Sequence, residues 1–449
     1  MNQNIEQIIR RRKHLSAFQV ILLGFFAVIL AGAVLLTLPV SSNSHQAVPF
    51  VNALFTSTSA VCVTGLIVYD TATQWSLFGR TVIILLIQIG GLGVVTMAIL
   101  MMLMAGKRIG IFSRIAMQDA ISAPQLGGII RFTRFFLMGT FTIETIGALL
   151  MYPTFAGEFG PWRGIGYAVF HSISAFCNAG FDLMGFRSPF SSLTYYVGHV
   201  PVNLVICGLI ILGGLGYSTW EDLLKWKFQF KRLRLQSKII LTMTALLIIG
   251  PFLYFLFYEF TDMPMKERIL ASLFQAVTPR TAGFNTIDYS KMSESGILLT
   301  IVLMMIGAAP GSTAGGMKVT TMFVLYAGTM VRLRRGTRVN AFHRRIDDSV
   351  LQDAFTILIA YMTLLIAGTM IISHVEHIPA LTVMFECASA LGTVGLTMGI
   401  TPGLGTMSKL LLTAFMFFGR VGGITIAYAI VNNGSRVTPH MPMEKVSVG

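Results

Sequence analysis

Ser59-Ala-Val-Cys-Val-Thr-Gly65 is the first of four copies of one short pattern, and these copies decide the fold. The other three are Ser174-Ala-Phe-Cys-Asn-Ala-Gly180, Val277-Thr-Pro-Arg-Thr-Ala-Gly283 and Ser389-Ala-Leu-Gly-Thr-Val-Gly395. A large apolar residue follows the last glycine of every copy, and these glycines lie 115, 103 and 112 residues apart. A unit of roughly 110 residues is therefore predicted to occur four times, which favours a four-fold pore.

The composition is that of a membrane protein. Apolar residues make up 54% of the chain and charged residues 12%, whereas roughly 25% of the residues of a soluble domain are charged. Eight apolar runs approach or exceed the length of about 20 helical residues that crosses a bilayer. Such runs must be helical, because backbone groups find no water partner in hydrocarbon. The runs are Ala17–Val40, Thr81–Gly106, Phe135–Ala156, Tyr195–Trp220, Ile239–Tyr258, Gly296–Thr329, Ala354–Ser373 and Leu410–Val431.

Each unit has the same internal order: a span, a shorter amphipathic segment, the glycine pattern and a second span. The shorter segments are Pro49–Ala60, Gly164–Ala175, Met265–Val277 and Pro379–Ala390. Segments of this length are more often re-entrant than spanning. An apolar anchor stands ten residues before each glycine, at Phe55, Phe170, Leu273 and Phe385.

These patterns predict an all-α polytopic membrane protein with four M1–P-loop–M2 repeats around a central pore. It has eight spanning helices and four re-entrant pore helices. The first repeat covers residues 1–106 and the second covers 107–221. The third, whose M2 span is broken, covers 222–338, and the fourth covers 339–449 together with the C-terminal tail.

The distribution of lysine and arginine predicts the orientation. The two termini and the loops after every second span carry 23 of the 33 basic residues, and the opposite side carries eight. By the positive-inside rule, both termini are cytoplasmic and the four glycine loops face outward. The net charge of +14 reflects this asymmetry. It does not indicate nucleic acid, because no stacking aromatic residues accompany the basic loops.

The glycine loops can bind a dehydrated cation through their backbone. Carbonyl oxygens replace the water shell of the ion, and glycine allows the backbone angles and the close approach that a Cβ would obstruct. The short helices would also direct their C-terminal dipole ends towards the ion. The alternative, that the glycines only allow helices to pack closely, does not account for four in matched contexts. The proposed ion pathway consists of Val63, Thr64, Gly65, Asn178, Ala179, Gly180, Thr281, Ala282, Gly283, Thr393, Val394 and Gly395.

The four M1–P-loop–M2 units, with their Val-Thr-Gly65, Asn-Ala-Gly180, Thr-Ala-Gly283 and Thr-Val-Gly395 loops, resemble the Trk/Ktr/HKT superfamily of cation transporters. Within it, the chain is similar to the membrane subunits of bacterial Ktr potassium transporters, over almost its whole length. In that family, serine at the first glycine position goes with sodium permeation and four glycines go with potassium. The resemblance therefore implies potassium as the transported ion.

The sixth span contains the sequence Gly307-Ala-Ala-Pro-Gly-Ser-Thr-Ala-Gly-Gly-Met-Lys318, which is rich in residues that break helices. A simple kink would account for it, but the resemblance implies an intramembrane loop that gates the pore below the filter. The gating residues are then Gly307, Pro310, Gly311, Ser312, Thr313, Gly315 and Gly316, joined by Arg420.

Two basic residues, Arg420 and Lys318, lie within the predicted spans near this loop. Arg420 lies 25 residues after Gly395, and Gly307 lies 24 residues after Gly283, so both occupy a similar depth. We therefore expect Arg420 to bond the carbonyls of the loop and to add an electrostatic barrier, although pairing with a neighbouring acid would also explain it. Lys318 is expected to extend towards the cytoplasmic face.

The remaining polar residues give weaker indications. Asp70, Asp182 and Asp288 follow three of the glycines and fit either cation attraction at the outer mouth or capping of the next helix or turn. Arg280 lies directly behind the third loop and needs a counter-charge that the sequence does not identify. The four cysteines have neither disulfide nor zinc spacing, and enzymatic activity is not expected.

The resemblance also implies partners. Ktr-type membrane subunits form homodimers on a cytosolic ring of nucleotide-binding regulatory subunits with RCK domains, so nucleotide is expected only through that partner. K⁺ is the expected cargo, while the role of Na⁺ as activator or coupling ion stays open. The implied location is the bacterial cell membrane, where the lipid bilayer surrounds the chain. No nucleic-acid partner is expected. Two alternatives are a secondary transporter with an occluded midplane site and a membrane receptor or scaffold without transport.

Overall fold

The computed structural model describes residues 17–94, 96–97, 129–336 and 338–422. Within these ranges the chain is predominantly helical, with one hairpin of strands β1 (Asn340–Ala341) and β2 (Arg344–Arg345). The helices in chain order are α1 (Ala17–Thr37), α2 (Phe50–Val61), α3 (Thr71–Gln74), α4 (Leu77–Leu92), α5 (Ile129–Phe159), α6 (Pro161–Phe176), α7 (Val200–Gly214), α8 (Tyr217–Lys225), α9 (Leu235–Tyr254), α10 (Met265–Val277), α11 (Glu294–Met305), α12 (Val319–Leu333), α13 (Asp348–Glu376), α14 (Ala380–Gly392) and α15 (Thr406–Val421).

The described helices follow the predicted order of each repeat. Four of them, α1, α5, α9 and α13, are long and apolar enough to cross a membrane. Each is followed by a shorter helix at or near the position of a predicted re-entrant segment: α2, α6, α10 and α14. We call these four the pore helices. The helices that follow the glycine loops are shorter, so eight full spans remain a prediction, and the C-terminal tail lies outside the described residues.

The long helices expose large apolar side chains. Leu23 on α1, Leu149 on α5, Ile249 on α9 and Met370 on α13 are each more than 45% exposed. Soluble proteins rarely leave such extended apolar surfaces in water. Hydrocarbon is the solvent that suits this outer surface.

The helices close into a ring around one axis. The helix that follows each glycine loop packs against the pore helix of the next repeat, and the fourth returns to the first. The four packed pairs are α4 with α6, α7 with α10, α11 with α14, and α15 with α2. The repeats are therefore interlocked, because every pore helix is held by two consecutive repeats.

Two predicted spans are interrupted. The prediction of a continuous span over Tyr195–Trp220 is wrong, because α7 ends at Gly214 and the chain bends by 95° into α8. The bend uses Gly216, whose φ of 82° is strained for other residues. The span predicted over Gly296–Thr329 is broken as expected, with non-helical chain between α11 and α12.

Gly90 tests the tight packing between α4 and the pore helix α2. A Cβ built on Gly90 would lie 2.0 Å from the carbonyl oxygen of Val61, whereas one on Gly208 of α7 would meet no atom within 4 Å. We expect Gly90→Ala to lower the stability of the purified protein by about 1–3 kcal/mol, the usual cost of overpacking. Thermal unfolding in detergent measures this effect.

Gly208→Ala is the matched control. It should be neutral or slightly stabilising, because alanine favours a helix more than glycine does. Equal melting temperatures for the two variants would contradict the predicted contact.

Candidate functional site

The four glycine loops share one backbone conformation. Two residues before each glycine stands a residue with φ between 50° and 67°, and each glycine has φ between 71° and 92°. The residue between them does not have a positive φ. The residues with positive φ are Val63, Gly65, Asn178, Gly180, Thr281, Gly283, Thr393 and Gly395. This alternation turns successive carbonyl groups towards the same side of the chain, as a carbonyl-lined ion site requires.

The four loops meet in a closed ring. A Cβ built on Gly65 would lie 2.5 Å from the carbonyl oxygen of Ala179, and one on Gly180 would lie 2.7 Å from that of Ala282. Likewise, a Cβ built on Gly283 would lie 2.4 Å from Val394 O, and one on Gly395 would lie 2.1 Å from Thr64 O, which closes the ring. No side chain fits at any of the four positions without movement of the backbone. The structure thus brings together all twelve residues predicted for the ion pathway.

One hydroxyl side chain from the end of each pore helix holds the loop that follows. Ser59 Oγ accepts a 3.0 Å hydrogen bond from Gly65 N, and Ser389 Oγ does the same for Gly395 N. Ser174 Oγ donates at 2.7 Å to Phe181 O, and Thr278 Oγ1 donates to Phe284 O. These bonds fix a strained backbone that would otherwise relax.

The third loop is one residue shorter than the others. In the other three loops the N–H before the glycine bonds the carbonyl five residues back, as in Thr64 N to Ser59 O at 2.8 Å. In the third, Ala282 N bonds Thr278 O, only four residues back, at 3.0 Å. The anchor predicted at Leu273 is therefore wrong: Phe274 is the fully buried side chain, and Leu273 is only partly buried.

The acidic residues beyond the loops are mainly caps. Asp70 accepts from the backbone N–H groups of Ala72 and Thr73, both at 3.0 Å, and from Phe190 N at 2.9 Å, so it also ties the first repeat to the second. Asp288 accepts from Ser290 N at 3.0 Å. Of the two interpretations that the sequence left open for Asp70 and Asp288, the structure shows capping.

Asp182 differs from the other two acids that follow the glycine loops. It lies two residues after Gly180 and accepts a 2.9 Å hydrogen bond from Met184 N. Burial raises the pKa of its carboxyl group to about 7, although this hydrogen bond opposes the shift. Asp182 lies at the C-terminal end of the second glycine loop.

The break in the sixth span lies directly against the ring of loops. Thr313 Oγ1 donates to Phe176 O at 3.1 Å and lies 3.2 Å from Asn178 Oδ1. A Cβ on Gly315 would lie 2.2 Å from Thr393 Oγ1, and one on Gly316 would lie 2.8 Å from Gly392 O. The break therefore contacts the second and fourth loops. The contact with the fourth loop requires glycine at positions 315 and 316.

The other residues of the break hold its shape. Ser312 Oγ donates to Ala309 O at 2.6 Å, and Gly311 O accepts from Tyr217 N at 2.9 Å, at the bend between α7 and α8. A Cβ on Gly307 would lie 2.7 Å from Met317 O. Pro310 O would likewise lie 2.7 Å from a Cβ on Gly216. Every residue assigned to this segment is thus part of one tightly folded loop.

Two cations bind the carbonyl groups of the break. Arg420 donates through Nη1 to Thr313 O and through Nη2 to Gly90 O and Gly91 O. Its hydrogen bonds in the described part of the chain go to carbonyls, and it forms no ion pair there. The expectation that Lys318 extends to the cytoplasmic face is wrong, because its Nζ donates to Ala314 O at 2.9 Å and Gly315 O at 3.1 Å.

Arg280 is buried behind the third loop, where its Nη2 donates at 3.0 Å to Thr244 Oγ1. Among the residues that the structure describes, no carboxylate forms an ion pair with it. Sequence reasoning missed the roles of Thr244 and of the bend at Gly216. The short interruption Leu-Gly-Tyr217 in an apolar run was the available signal for the bend.

Comparison with known proteins agrees with this geometry. The family model described as TrkH, a cation transport protein, matches residues 11–435. The chain is 40% identical to the potassium/sodium uptake protein NtpJ of Enterococcus hirae, over 98% of this chain and 99% of that protein. It is also 40% identical to the Ktr system potassium uptake protein B of Bacillus subtilis, over 92% of each chain.

A solved structure shows the same fold. The potassium transporter TrkH from Vibrio parahaemolyticus matches with a TM-score of 0.74 and 18% identity, over 94% of this chain and 86% of that one. At this identity the likeness concerns the fold alone. The relatives are transporters and not enzymes. On the family match and the 40% identity together, this chain belongs to the TrkH/Ktr family of cation transport proteins.

Proposed function

We propose that this chain carries potassium ions into the cell through the ring of four glycine loops. The closed ring carries the proposal, because each glycine faces a carbonyl of the next loop. Such a ring offers a dehydrated cation oxygens on all sides. The names of relatives that take up potassium support the same cargo. The four proposed repeats are residues 1–106, 107–221, 222–338 and 339–449.

We further propose that the break at residues 307–316 is a gate below the filter. Non-helical backbone at membrane depth is tolerated where protein buries it or where it lines a water-filled cavity. This loop contacts two filter loops and is bonded by Arg420 from the fourth repeat. Opening would require the loop to exchange these bonds for others, which makes the closed position a defined state.

The location of the proposed gate in the chain is consistent with a regulatory partner. The break leads directly into α12 and then into the basic segment of residues 332–345, which includes the β1–β2 hairpin. A protein bound to this segment could move α12 and thereby the gate. We propose a homodimer on a cytosolic ring of RCK-type nucleotide-binding subunits, with both chain termini on the same cytoplasmic side. The name "Ktr system" of two relatives supports a multi-component assembly.

Sodium is the second candidate ion, because one relative is named a potassium/sodium uptake protein. Sodium could be transported, coupled to potassium or needed as an activator. Four glycines in the ring favour potassium as the main cargo. Measurement of Na⁺ flux beside K⁺ flux shows whether Na⁺ is transported.

Gly283→Ser tests the filter. The added side chain must displace the backbone near Val394 O, 2.4 Å from the Cβ position, so we expect the K⁺ over Na⁺ flux ratio to fall at least about tenfold. That change corresponds to about 1.4 kcal/mol. The measurement is K⁺ and Na⁺ flux into liposomes containing the purified protein, with the regulatory partner added if the chain alone is silent.

The matched control is Gly403→Ser, because a Cβ on Gly403 meets no atom within 4 Å. It should keep the selectivity of the unmodified protein. If the unmodified protein and Gly283→Ser passed both ions equally, the filter assignment would be wrong.

Arg420→Ala tests the gate. Removal of the guanidinium group frees the carbonyl of Thr313. Each charge-assisted hydrogen bond that is lost destabilises the closed loop by about 1.5–3 kcal/mol. We therefore expect maximal K⁺ flux to rise about tenfold, with little change in K⁺ over Na⁺ selectivity. Unchanged flux and unchanged regulation in Arg420→Ala would refute this role.

Asp182→Asn tests the titrating acid at the outer mouth. With its pKa raised to about 7, Asp182 gains negative charge as the external pH rises from 6 to 8. We expect the apparent KM for K⁺ to fall by roughly threefold over that range through electrostatic attraction. Asp182→Asn should abolish the pH dependence. The exposed cap variant Asp288→Asn is the control and should retain it.

A further inference from the structure

A long groove runs along the surface between α4, α5 and α6. It consists of two adjoining cavities of about 970 and 720 Å³. The two share the wall residues Ile84, Ile165, Val169 and Ile173, so they form one continuous space. We call this space the α4–α6 groove. The ion pathway does not use it.

The inner end of the groove is apolar with a polar floor. Its walls include Leu85, Phe141 and Leu149, which are all more than 45% exposed. At the floor, Gln88 Nε2 donates at 3.1 Å to Glu144 Oε1, and both side chains are buried. These two polar groups satisfy each other, so the walls that remain for a ligand are apolar.

The outer end of the groove is positively charged. Arg80 and Arg163 both line it, beside Trp162, which is 86% exposed. Arg80 is already committed to the carbonyls of Ala72 and Trp75. Arg163 is exposed, and its guanidinium forms no hydrogen bond or ion pair in the described part of the chain. A free guanidinium beside an interfacial tryptophan suits an anionic headgroup.

The length of the groove matches one leaflet of a bilayer. The α6 residues along it run from Trp162 to Ile173, which corresponds to about 17 Å at a rise of 1.5 Å per residue. Half of the hydrocarbon core of a bilayer is about 15 Å thick. An acyl chain whose headgroup lies at Arg163 would therefore end near the floor at Gln88.

We propose that the α4–α6 groove binds one anionic phospholipid of the outer leaflet, with its phosphate at Arg163 and an acyl chain along Val169. The occupant is assigned by the charge at the mouth, the apolar walls and the matching length. The outward position of the mouth rests on the proposed orientation of the transporter. Because α6 leads directly into the second filter loop, a lipid here would support the pore helix from outside.

Lipid retention tests the proposal without any transport measurement. The full chain is equilibrated in detergent with phosphatidylglycerol or phosphatidylcholine, and bound lipid is counted by native mass spectrometry. We expect one phosphatidylglycerol per chain to be retained more strongly than phosphatidylcholine. Arg163→Gln should weaken phosphatidylglycerol retention about fivefold, and Val169→Trp should abolish it by filling the groove.

Each variant has a matched control. Lys266→Gln removes an exposed cation at the equivalent start of α10, and Val302→Trp enlarges an exposed apolar residue on α11. Both should retain lipid like the unmodified protein. Equal retention of the two lipids, or equal loss in Arg163→Gln and Lys266→Gln, would overturn the headgroup assignment.

The remaining outcomes concern the groove itself. Unchanged retention in Val169→Trp would show that lipid binds elsewhere. A Val169→Trp variant that changes from dimer to monomer without changing lipid count would show that a second copy of the chain occupies the groove, and the lipid proposal would be wrong. Failure of ion transport affects none of these measurements.

Discussion

The structure depends on one constraint: four stretches of unpaired backbone carbonyls must lie within touching distance of one another inside a membrane. Carbonyl groups without partners are costly in an apolar medium, so the arrangement is stable only if each loop is held from behind. The hydroxyl groups of Ser59, Ser174, Thr278 and Ser389 provide this support. The interlocked packing of each pore helix with the preceding repeat provides the rest.

The same constraint explains the break in the sixth span. Its carbonyls also need donors, and the first N–H groups of α8 and α12 supply only some of them, at Gly311 O and Ala308 O. Arg420 and Lys318 supply charged donors to Thr313, Ala314 and Gly315. A charged side chain is unfavourable in hydrocarbon, and so is a backbone carbonyl without a hydrogen-bond donor. The two cations and the carbonyls of the break thus stabilise each other. This mutual dependence ties the fourth repeat to the third.

Much of the fold was predictable because its signals are local. Glycine at a fixed place after a short helix predicted the four glycine loops, and the pore-helix bounds differ from the predicted ones by at most three residues. The contact of Arg420 with the break followed from its register in the repeat. The errors have different physical causes: the bend at Gly216 packs against residues 310–311, which are distant in sequence, whereas Lys318 bonds carbonyls only three and four residues back. Leu273 and Phe274 are both apolar, and only the shorter third loop determines which one is buried.

The closed ring is made by a single chain, and its quarters are not alike. The third loop is one residue shorter than the others, Arg280 lies where the first two glycine patterns have cysteine, and the break at residues 307–316 contacts the second and fourth loops. In a pore built from four identical subunits, one codon change alters every quadrant at once. Here it alters one. A substitution can therefore change one glycine loop, the break at residues 307–316 or the α4–α6 groove while the corresponding parts of the other repeats keep their residues.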